Sequence, residues 1–435
     1  MSELSGYKDE SLNKLNKAKI KIGDFIKIIT KATEYSGNLL PRYEYSNENY
    51  IVIKLLNGYN IGIDSNNIID IQKIRSGEKP KFIPPKKPNV KESLPKISIL
   101  GTGGTIASRI DYKTGAVNPA FSAEELYSII PELSSYANIN TELISNIASE
   151  QMNPSDWTNI AENVIKKIND GNEVIIIGHG TDTMAYTSAA LSFALKNCPI
   201  SVIITGAQRS TDRPSSDASL NMISSVILAS KKSLKGVYLA MHSSIEDNEV
   251  SIHSGTRVRK NHTSRRDAFQ SIGINPIAIV NQDKVIINNE LSKNKNDFEP
   301  KINFNENVSL LKFHPGFNTN IIDTIIESNT KGIILEGTGL GHVNSKCNKV
   351  IKKAIDNGMF VGMTSQCLYG RTKMTVYSAG RDLLDIGVIP LEDMIPETAL
   401  VKLMWAYGNY EDKNIKEIMT KNIAGEYTTR SILGS

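Results

Sequence analysis

The feature that most constrains the fold is a repeated alternation between helical apolar stripes and short, wholly apolar runs. After Asn153-Pro154, apolar residues recur at spacings of 3, 1, 3, 1 and 3, which marks one face of a helix: Trp157, Ile160, Ala161, Val164, Ile165 and Ile168. Gly171 ends this helix, and the run VIIIG at 174–178 is typical of a buried parallel strand. Similar units follow at about 183–206 and 216–241. The alternation predicts a doubly wound α/β sheet.

A second α/β region follows an Asn- and Lys-rich stretch at 281–307. Three apolar runs, SLLKF, GIILEG and FVGMTS, are separated by helical patterns at about 319–329 and 345–357. Near the end of the chain, PETALVKLMWAYG has the composition of a packed helix. These patterns predict a second, smaller α/β lobe over 308–435.

A proline- and lysine-rich segment at 79–95 separates this α/β region from the chain before it. Its five prolines exclude a helix or a central strand and predict an extended, semi-rigid linker. Between about 20 and 75, short β-rich runs are separated by Gly, Asn and Asp, and Asn57-Gly58 is a hairpin signal. The sequence therefore predicts a small all-β module of the β-barrel or β-sandwich type, which suits docking or recognition better than catalysis.

The predicted organisation has four parts. In chain order they are a β-barrel-like adaptor module at 1–78, the linker at 79–95, the principal α/β domain with the candidate site at 96–290 and the smaller α/β domain at 308–435. Together they give the fold class α/β, a doubly wound sheet with a smaller C-terminal α/β lobe, preceded by a small all-β module.

Charge is distributed unevenly along the chain. Residues 1–96 hold 17 basic and 11 acidic residues, a surplus of +6, whereas the remainder holds 33 and 35, a net −2. A basic surplus would suit a polyanionic partner such as nucleic acid. Six of those basic residues lie between 79 and 96, so the surplus belongs chiefly to the linker. The β-module is therefore predicted to be an adaptor and not an RNA-binding domain.

Composition points to an ordinary folded protein, with 40% hydrophobic and 22% charged residues. No apolar run approaches the ~18 residues needed to cross a bilayer, and the first residues lack the apolar core of a signal peptide. We therefore expect a cytoplasmic protein without a membrane partner. Cys198, Cys347 and Cys367 form no CxxC pair, which favours a reducing compartment over a disulfide framework or a cysteine zinc site.

The turns that follow the strands are the candidate sites, because ligands of open α/β sheets bind at the carboxyl ends of the strands. The first turn, GTGGTIA at 101–107, does not fit a GxGxxG nucleotide motif, which would need glycine at Ile106, and no GK[ST] is present. Two interpretations remain. Either the glycines let backbone and substrate approach closely while Thr105 presents a hydroxyl, or backbone geometry alone requires them.

The second turn, GHGTDTM at 178–184, places hydroxyls beside a carboxylate at a strand end. Thr181 or Asp182 either caps the helix that follows or helps to activate a nucleophile or a water molecule. His179 has no evident partner in the sequence, so we predict that it is structural.

Two further segments carry polar groups. RVRKNHTSRR at 257–266 is a solvated basic loop, an RNA contact, or the source of an active-site amine if Lys260 is buried. The RNA interpretation is weakened because no aromatic residues interleave. ASEQMNP at 148–154 is either a loop with an N-cap or a group able to hold a zwitterion. No HExxH, GxSxG, CxxC or paired-histidine metal spacing occurs, which disfavours metal catalysis and leaves hydroxyl chemistry.

Five motifs, taken together and in this order, resemble the bacterial-type L-asparaginase family over residues 96–435: GTGGTIAS, SEQMN, GHGTDTM, ITGAQRSTDRPSSDA and the lysine of RVRKNHTS. The longer string GAQRSTDRPSSDASLNM, with the amino-terminal module and the linker, resembles more narrowly the D subunits of archaeal glutamyl-tRNA(Gln) amidotransferases. The resemblance implies an asparaginase-like fold and an amidase. A free-standing L-asparaginase or glutaminase is the alternative.

The resemblance also implies roles for seven residues. Thr105 would be the nucleophile on the side-chain amide of glutamine or asparagine. The group that activates the attacking hydroxyl or water would be Thr181, Asp182 and Lys260. The substrate contacts would be Ser149, Glu150 and Tyr112. Of these, the serine and glutamate match the loop that binds the α-carboxylate and α-amino groups, and the tyrosine matches a mobile residue over the nucleophile.

A multi-subunit assembly follows from the narrower resemblance. In that family the D subunit releases ammonia, and an E subunit activates the glutamyl ester of Glu-tRNA(Gln) with ATP and Mg²⁺ to give Gln-tRNA(Gln). The present sequence shows no kinase or ATP motif, so no cofactor is expected in this chain and a partner subunit is required. The resemblance further implies a homodimer core in a heterotetramer, in which GTGLG at 337–341 approaches the neighbouring site.

Overall fold

The computed structural model describes residues 4, 6–42, 49–56, 60–77, 91–103, 108–110, 117–119, 126, 130–209, 216–231, 234–288 and 297–430. Most of the predicted linker, the Asn57-Gly58 turn, Thr105 and Tyr112 lie outside these residues. Contacts divide the chain into two compact units. The first comprises Met1–Pro88, Thr105–Pro131 and Gln208–Ser219, and the second comprises Asn89–Gly104, Glu132–Ala207 and Leu220–Ser435.

The first unit contains an antiparallel five-stranded sheet in the order β4-β3-β2-β1-β5. Its strands are β1 (Phe25–Thr30), β2 (Glu34–Leu39), β3 (Tyr50–Leu55), β4 (Asn60–Asp64) and β5 (Ile68–Arg75). The strands on either side of Asn57-Gly58, β3 and β4, pair antiparallel, as a hairpin requires. A further antiparallel pair is formed by β7 (Ser108–Ile110) and β8 (Val117–Pro119). The β-rich character of the amino-terminal module is thus confirmed.

A helix that the sequence analysis did not predict precedes this sheet, α1 (Asp9–Lys17). Its stretch DESLNKLNK offers only two leucines to an apolar face, too few to form a recognisable stripe. Leu15 is nonetheless fully buried among the isoleucines of the sheet. Lys14 Nζ donates to the carbonyls of Ser65 and Ile68, both at 2.8 Å, and so joins the helix to the start of β5.

The second unit is built on a mixed sheet in the order β17-β16-β13-β12-β11-β10-β6-β9. Five strands are parallel: β6 (Lys96–Gly101), β9 (Asn138–Leu143), β10 (Val174–Gly178), β11 (Ser201–Thr205) and β12 (Gly236–His242). If these five strands are numbered in chain order and read across the sheet from β9 to β12, their spatial order is 2-1-3-4-5. This is a doubly wound arrangement whose order reverses between β6 and β10. The predicted doubly wound sheet is therefore confirmed.

The far edge of this sheet is antiparallel, a feature that the predicted doubly wound pattern did not include. Three strands there are antiparallel: β13 (Glu249–Ser254), β16 (Ala278–Asn281) and β17 (Lys284–Ile287). The last lies in the stretch where the apolar pattern weakens, and three of its four residues are exposed, so its sequence carries no buried-strand signature. A separate two-stranded ladder joins β14 (Val258–Lys260) to β15 (Phe269–Ser271).

Helices cover the sheet where the apolar stripes predicted them. They are α2 (Pro154–Asn169), α3 (Met184–Ala194) and α4 (Ala218–Ser230). The first begins with a capping box between Asn153 and Asp156 and has proline in its first turn. Trp157, Ile160, Ala161 and Val164 of the stripe are buried, and Gly171 follows the helix with φ of 75°.

The remainder of the second unit forms a smaller parallel sheet in the order β18-β19-β20-β21. Its strands are β18 (Val308–Lys312), β19 (Gly332–Gly337), β20 (Phe360–Ser365) and β21 (Ile389–Pro390). Its helices are α5 (Asn320–Glu327), α6 (Asn348–Asp356), α7 (Ser378–Asp385), α8 (Pro396–Asn409) and α9 (Ile415–Thr420). This confirms the predicted second α/β lobe, in which α7 and α9 are additional helices.

Helix α8 is the packed helix predicted from PETALVKLMWAYG. Its Trp405 stacks on Phe193 of α3 with ring centroids 5.6 Å apart, within one hydrophobic cluster that also contains Trp157. The two α/β lobes of this unit therefore share a core. Among the described residues, no helix has both the length and the apolar character needed to cross a membrane.

Candidate active site

The candidate site lies at the carboxyl ends of β6 and β10, where the strand order reverses. Gly178 pairs with Gly101 on one side and with Thr205 on the other, so the strands end at a common level. Thr102 reinforces this junction, because its backbone N–H and its Oγ1 both donate to the Gly178 carbonyl, at 3.0 and 3.1 Å. The first residues of the two Gly-rich turns therefore leave the sheet side by side, in the crevice where this architecture binds ligands.

The start of the first turn fits tightly against the segment that follows β9. Gly103 has φ of +114°, and a Cβ at this position would lie 2.4 Å from the carbonyl oxygen of Ile147. Only glycine satisfies both the conformation and the contact. Backbone geometry thus accounts for this glycine. Thr105 lies outside the described residues, so the expectation that it presents a hydroxyl to the substrate stays a prediction.

Lys260 reaches across from β14 to the second turn and contacts two of its residues. Its Nζ donates to Thr181 Oγ1 at 2.9 Å and to Asp182 Oδ1 at 2.8 Å. The lysine side chain is 13% exposed, whereas that of Asp182 is 65% exposed. The structure therefore brings together three of the four predicted catalytic residues. The Lys260 amine thus contacts both the Thr181 hydroxyl and the largely exposed Asp182 carboxylate.

The position of Lys260 is fixed by a short ladder and not by a loose basic loop. Its strand pairs with β15, and Val258 and Phe269 from the two strands are buried in the principal core. The Asn261 N–H donates to the Ala268 carbonyl at 2.6 Å and continues the ladder past Lys260. A rigid support of this kind is what a positioned acid–base group needs.

Cations of the basic segment 257–266 are paired with carboxylates. The pairs are Arg257–Asp393, Arg259–Glu397, Lys260–Asp182, Arg265–Asp267 and Arg266–Asp247. Such pairing lowers the charge available to a polyanion, which weakens the RNA interpretation of this segment further. It also favours the interpretation in which Lys260 belongs to a site.

Ser149 lies directly against the second turn. Its side chain is buried, its Oγ accepts from the Asp182 N–H at 3.3 Å, and its carbonyl accepts from Thr183 Oγ1 at 2.7 Å. A Cβ on Gly180 would come within 2.7 Å of the Ser149 Cβ. The neighbouring Glu150 is exposed. The loop predicted to bind the α-carboxylate and α-amino groups of the substrate thus adjoins Asp182, and its Glu150 is exposed to solvent.

Thr183 is a site residue that the sequence analysis did not single out, although the threonines of GHGTDTM gave a signal. Its hydroxyl ties the second turn to the Ser149 loop.

Tyr112 lies outside the described residues, so its role stays a prediction. Among the described residues, no group of three or more His, Cys, Asp and Glu side chains is arranged to hold a metal ion.

His179 belongs to a buried chain of hydrogen bonds beneath the site. Trp157 Nε1 donates to Thr187 Oγ1 at 3.1 Å, Thr187 Oγ1 lies 2.9 Å from His179 Nε2, and His179 Nδ1 lies 2.6 Å from the Gly180 carbonyl. The contact with the carbonyl assigns the proton to Nδ1, so Nε2 accepts from the threonine. Burial lowers the pKa of His179 to about 4, which keeps the ring neutral. This arrangement supports the structural role predicted for His179.

Two buried neutral histidines make folding sensitive to mild acid. Burial lowers the pKa of His179 to about 4 and that of His253 to about 3, against 6.5 for an unperturbed imidazole. Below pH 6.5 these two imidazoles bind protons in the unfolded chain but stay neutral in the folded chain. The free energy of unfolding therefore decreases with falling pH. Between pH 6.5 and 5.5 we expect a loss of about 2 kcal/mol, measured by urea unfolding.

The variant His179→Gln should reduce this pH dependence by about half, because it removes one of the two groups. Replacing the exposed His314 in the same way provides the matched control and should leave the slope unchanged. A stability that stays flat from pH 6.5 to 5.5 would contradict the assignment of two neutral buried rings.

Three family models match this chain. The asparaginase N-terminal model matches residues 96–293, the glutaminase/asparaginase C-terminal model matches 307–419, and the GatD N-terminal model matches 20–74. Among solved structures, the thermostable L-asparaginase from Thermococcus kodakarensis is 35% identical with a TM-score of 0.70, and covers 77% of this chain and 100% of its own. L-asparaginase I from Vibrio cholerae is 27% identical with a TM-score of 0.68 and the same coverages. Fold and site thus define an asparaginase-type amidohydrolase.

Curated relatives match almost the whole chain, including the amino-terminal module. The D subunit of the glutamyl-tRNA(Gln) amidotransferase from Pyrococcus furiosus is 48% identical, covering 94% of this chain and 95% of its own. The corresponding D subunit from Metallosphaera sedula is 42% identical, covering 99% and 98%. The chain belongs to the family of glutamyl-tRNA(Gln) amidotransferase D subunits. The family resemblance stated from the motifs is confirmed.

Proposed function

We propose that this chain is the amidase subunit of a tRNA-dependent amidotransferase, which releases ammonia from glutamine or asparagine for conversion of Glu-tRNA(Gln) to Gln-tRNA(Gln). The observation that carries the amidase chemistry is Lys260, held within 3 Å of both the Thr181 hydroxyl and the Asp182 carboxylate. Relatives named as the D subunit of glutamyl-tRNA(Gln) amidotransferase, alike over nearly the whole chain, support the tRNA-dependent role.

In the proposed mechanism, Thr105 Oγ attacks the side-chain amide carbon of the substrate. A free threonine hydroxyl is a weak nucleophile, so its proton must pass to a neighbouring base. The group of Thr181, Asp182 and Lys260 places a hydroxyl, a carboxylate and an amine in contact, and this group would take up the proton and pass it on. Backbone N–H groups of the two Gly-rich turns are suited to bind the oxyanion that forms on the amide oxygen.

Collapse of the tetrahedral intermediate breaks the C–N bond, and the leaving nitrogen takes up a proton to leave as ammonia. An acyl ester on Thr105 then remains, and water attacks it with the help of the same group. The alternative is direct attack by water on the amide, with the same products. Ser149 and Glu150 would bind the α-carboxylate and α-amino groups of the substrate, and Tyr112 would cover the nucleophile.

We further propose that a partner E subunit receives the ammonia and activates the tRNA-linked glutamyl carboxylate with ATP and Mg²⁺. This chain carries no ATP motif, and ammonia release by itself needs no cofactor. A homodimer of this chain would form the core of a heterotetramer, with the amino-terminal module as an adaptor. A cytoplasmic location is consistent with Cys198, Cys347 and Cys367, which are all free thiols.

The decisive experiment measures ammonia release by this chain from glutamine and from asparagine, alone and with an E subunit and charged tRNA. We expect turnover of at least one amide donor, with clear stimulation when E subunit and Glu-tRNA(Gln) are both present. Uncharged tRNA with the same E subunit is the matched control. Full turnover by the isolated chain, indifferent to both additions, would instead support a free-standing asparaginase or glutaminase.

A further inference from the structure

Arg257 is a buried cation that immediately precedes the strand carrying Lys260, and all three nitrogens of its guanidinium are bonded. The residue is 1% exposed. Nε donates to the Ile272 carbonyl at 3.0 Å, and Nη2 donates to Asp393 Oδ2 at 3.1 Å. Nη1 donates to the carbonyls of Asp393 and Glu426, at 2.7 and 3.0 Å. A planar guanidinium bonded in this way fixes the backbone from which it extends.

The turn after β15 is shaped to admit this guanidinium. Gly273 has φ of +70°, and a Cβ at that position would lie 2.3 Å from Arg257 Nη2. The preceding residue, Ile272, accepts from Arg257 Nε and donates its own N–H to the Arg257 carbonyl at 2.7 Å. Arg257 is thus built into the base of the ladder that ends at Lys260.

The last described residues of the chain hold Arg257 from the opposite side. We call residues 421–430 the C-terminal segment. The Ala424 carbonyl of this segment accepts from Thr256 Oγ1 at 3.0 Å. Thr428 donates twice to the Asp393 carboxylate, from its N–H at 2.8 Å and from its Oγ1 at 2.6 Å. The carboxylate that binds Arg257 is therefore itself oriented by this segment.

A second buried ion pair anchors the C-terminal segment to helix α8. Lys402 and Glu426 are both fully buried, and Lys402 Nζ lies 2.5 Å from Glu426 Oε1. Lys402 Nζ also donates to the Lys421 carbonyl at 2.6 Å. The Glu426 carboxylate accepts from the backbone N–H groups of Ile423 and Ala424. Buried charges that are paired and hydrogen-bonded in this way hold a defined geometry, since any displacement leaves a charge uncompensated.

We propose that Arg257, held by the C-terminal segment, is a positioning residue for Lys260. The path is short: Arg257 fixes the base of the ladder, and Lys260 lies three residues further along it. Positioning matters because a displacement of about 1 Å at a reacting group can lower a rate about 100-fold. This inference rests on the proposed function, in which Lys260 takes part in proton transfer.

The test is Arg257→Lys in the full-length chain, assayed for hydrolysis of glutamine at a temperature where circular dichroism shows it folded. Lysine keeps the charge but not the planar fork. We expect kcat to fall by about 100-fold while KM stays within about twofold, because the chemistry and not substrate binding loses its geometry. A kcat equal to that of the unaltered chain would overturn the proposal.

Two further variants keep the proposal falsifiable if Arg257→Lys folds poorly. Thr428→Val removes the hydroxyl that orients Asp393 without changing side-chain shape, and should lower kcat several-fold with KM unchanged. The control, Ile351→Ala, opens a cavity in the separate core between α6 and the smaller sheet, and should lower thermal stability but keep kcat. An equal fall in kcat for the control would also overturn the proposal.

Failure of the inference can be told apart from failure of the proposed function. If Lys260→Met keeps full activity, the proposed role of Lys260 is wrong, whatever the Arg257 variant does. If Lys260→Met is inactive while Arg257→Lys and Thr428→Val keep the unaltered kcat, only the positioning role is wrong.

Discussion

Replacing Lys260 with methionine should lower kcat for ammonia release by about 10³-fold or more, within the range that a positioned acid–base group supplies. Methionine is close to lysine in length and shape, so the 13% exposed position stays filled while the bonds to Thr181 and Asp182 are lost. Initial rates with saturating glutamine, followed by a coupled ammonia assay, give the measurement.

The fold of this variant should survive, because the partner carboxylate of Asp182 is 65% exposed and remains solvated without its lysine. A salt bridge with one exposed partner contributes about 0–1 kcal/mol, so the urea midpoint should move little. The loss of activity can then be assigned to the missing amine and not to unfolding.

A matched control lies in the same basic segment. Arg265→Met also removes a cation, but Arg265 pairs with Asp267 at 2.5 Å and has a side chain that is 51% exposed. Its carboxylate partner is therefore a different one from that of Lys260, and we expect kcat to remain within about twofold of the unaltered chain. If both variants lose activity equally, net charge and not the amine of Lys260 explains the effect.

Much of the architecture was predictable from local patterns. The stripe of α2 and the run of β10 appear in the sequence at the spacings that their burial requires, and both elements form where expected. The outermost antiparallel strand, β17, was not predictable, because it is exposed and short. Helix α1 was missed since Leu15 is buried by tertiary packing alone.

The site was predictable only in part. The turns after β6 and β10 could be singled out, because strand ends bind ligands in this architecture. The contact between Lys260 and Thr181 joins residues 79 positions apart, and no local pattern encodes it. Family resemblance supplied that pairing. The buried ion pairs that surround Arg257 left a weaker signal in the sequence. Lys402, which pairs with Glu426, is a charged residue within the otherwise apolar run of α8.

Thr105→Ala should abolish ammonia release from both glutamine and asparagine, a loss on the order of 10⁴-fold or more in kcat, as expected when a nucleophile is removed. Alanine deletes one hydroxyl and one methyl, so thermal stability should stay close to that of the unaltered chain. Retained amidase activity would exclude Thr105 as the nucleophile. The measurement is ammonia production over hours at high enzyme concentration, compared with a no-enzyme blank.

Thr102 provides the control for this prediction, since it lies in the same GTGGTIAS motif but uses its hydroxyl structurally. Its Oγ1 donates to the Gly178 carbonyl at 3.1 Å, in a position that is 1% exposed. Thr102→Ala should cost about 1–2 kcal/mol of stability through the lost hydrogen bond and keep most of the activity. This contrast would assign catalysis to the Thr105 hydroxyl, and to the Thr102 hydroxyl the role of joining β6 to β10.

Rapid acid quenching followed by intact mass measurement distinguishes attack by Thr105 from direct attack by water. Only the covalent mechanism leaves an acyl group on the chain, and only when Thr105 is present.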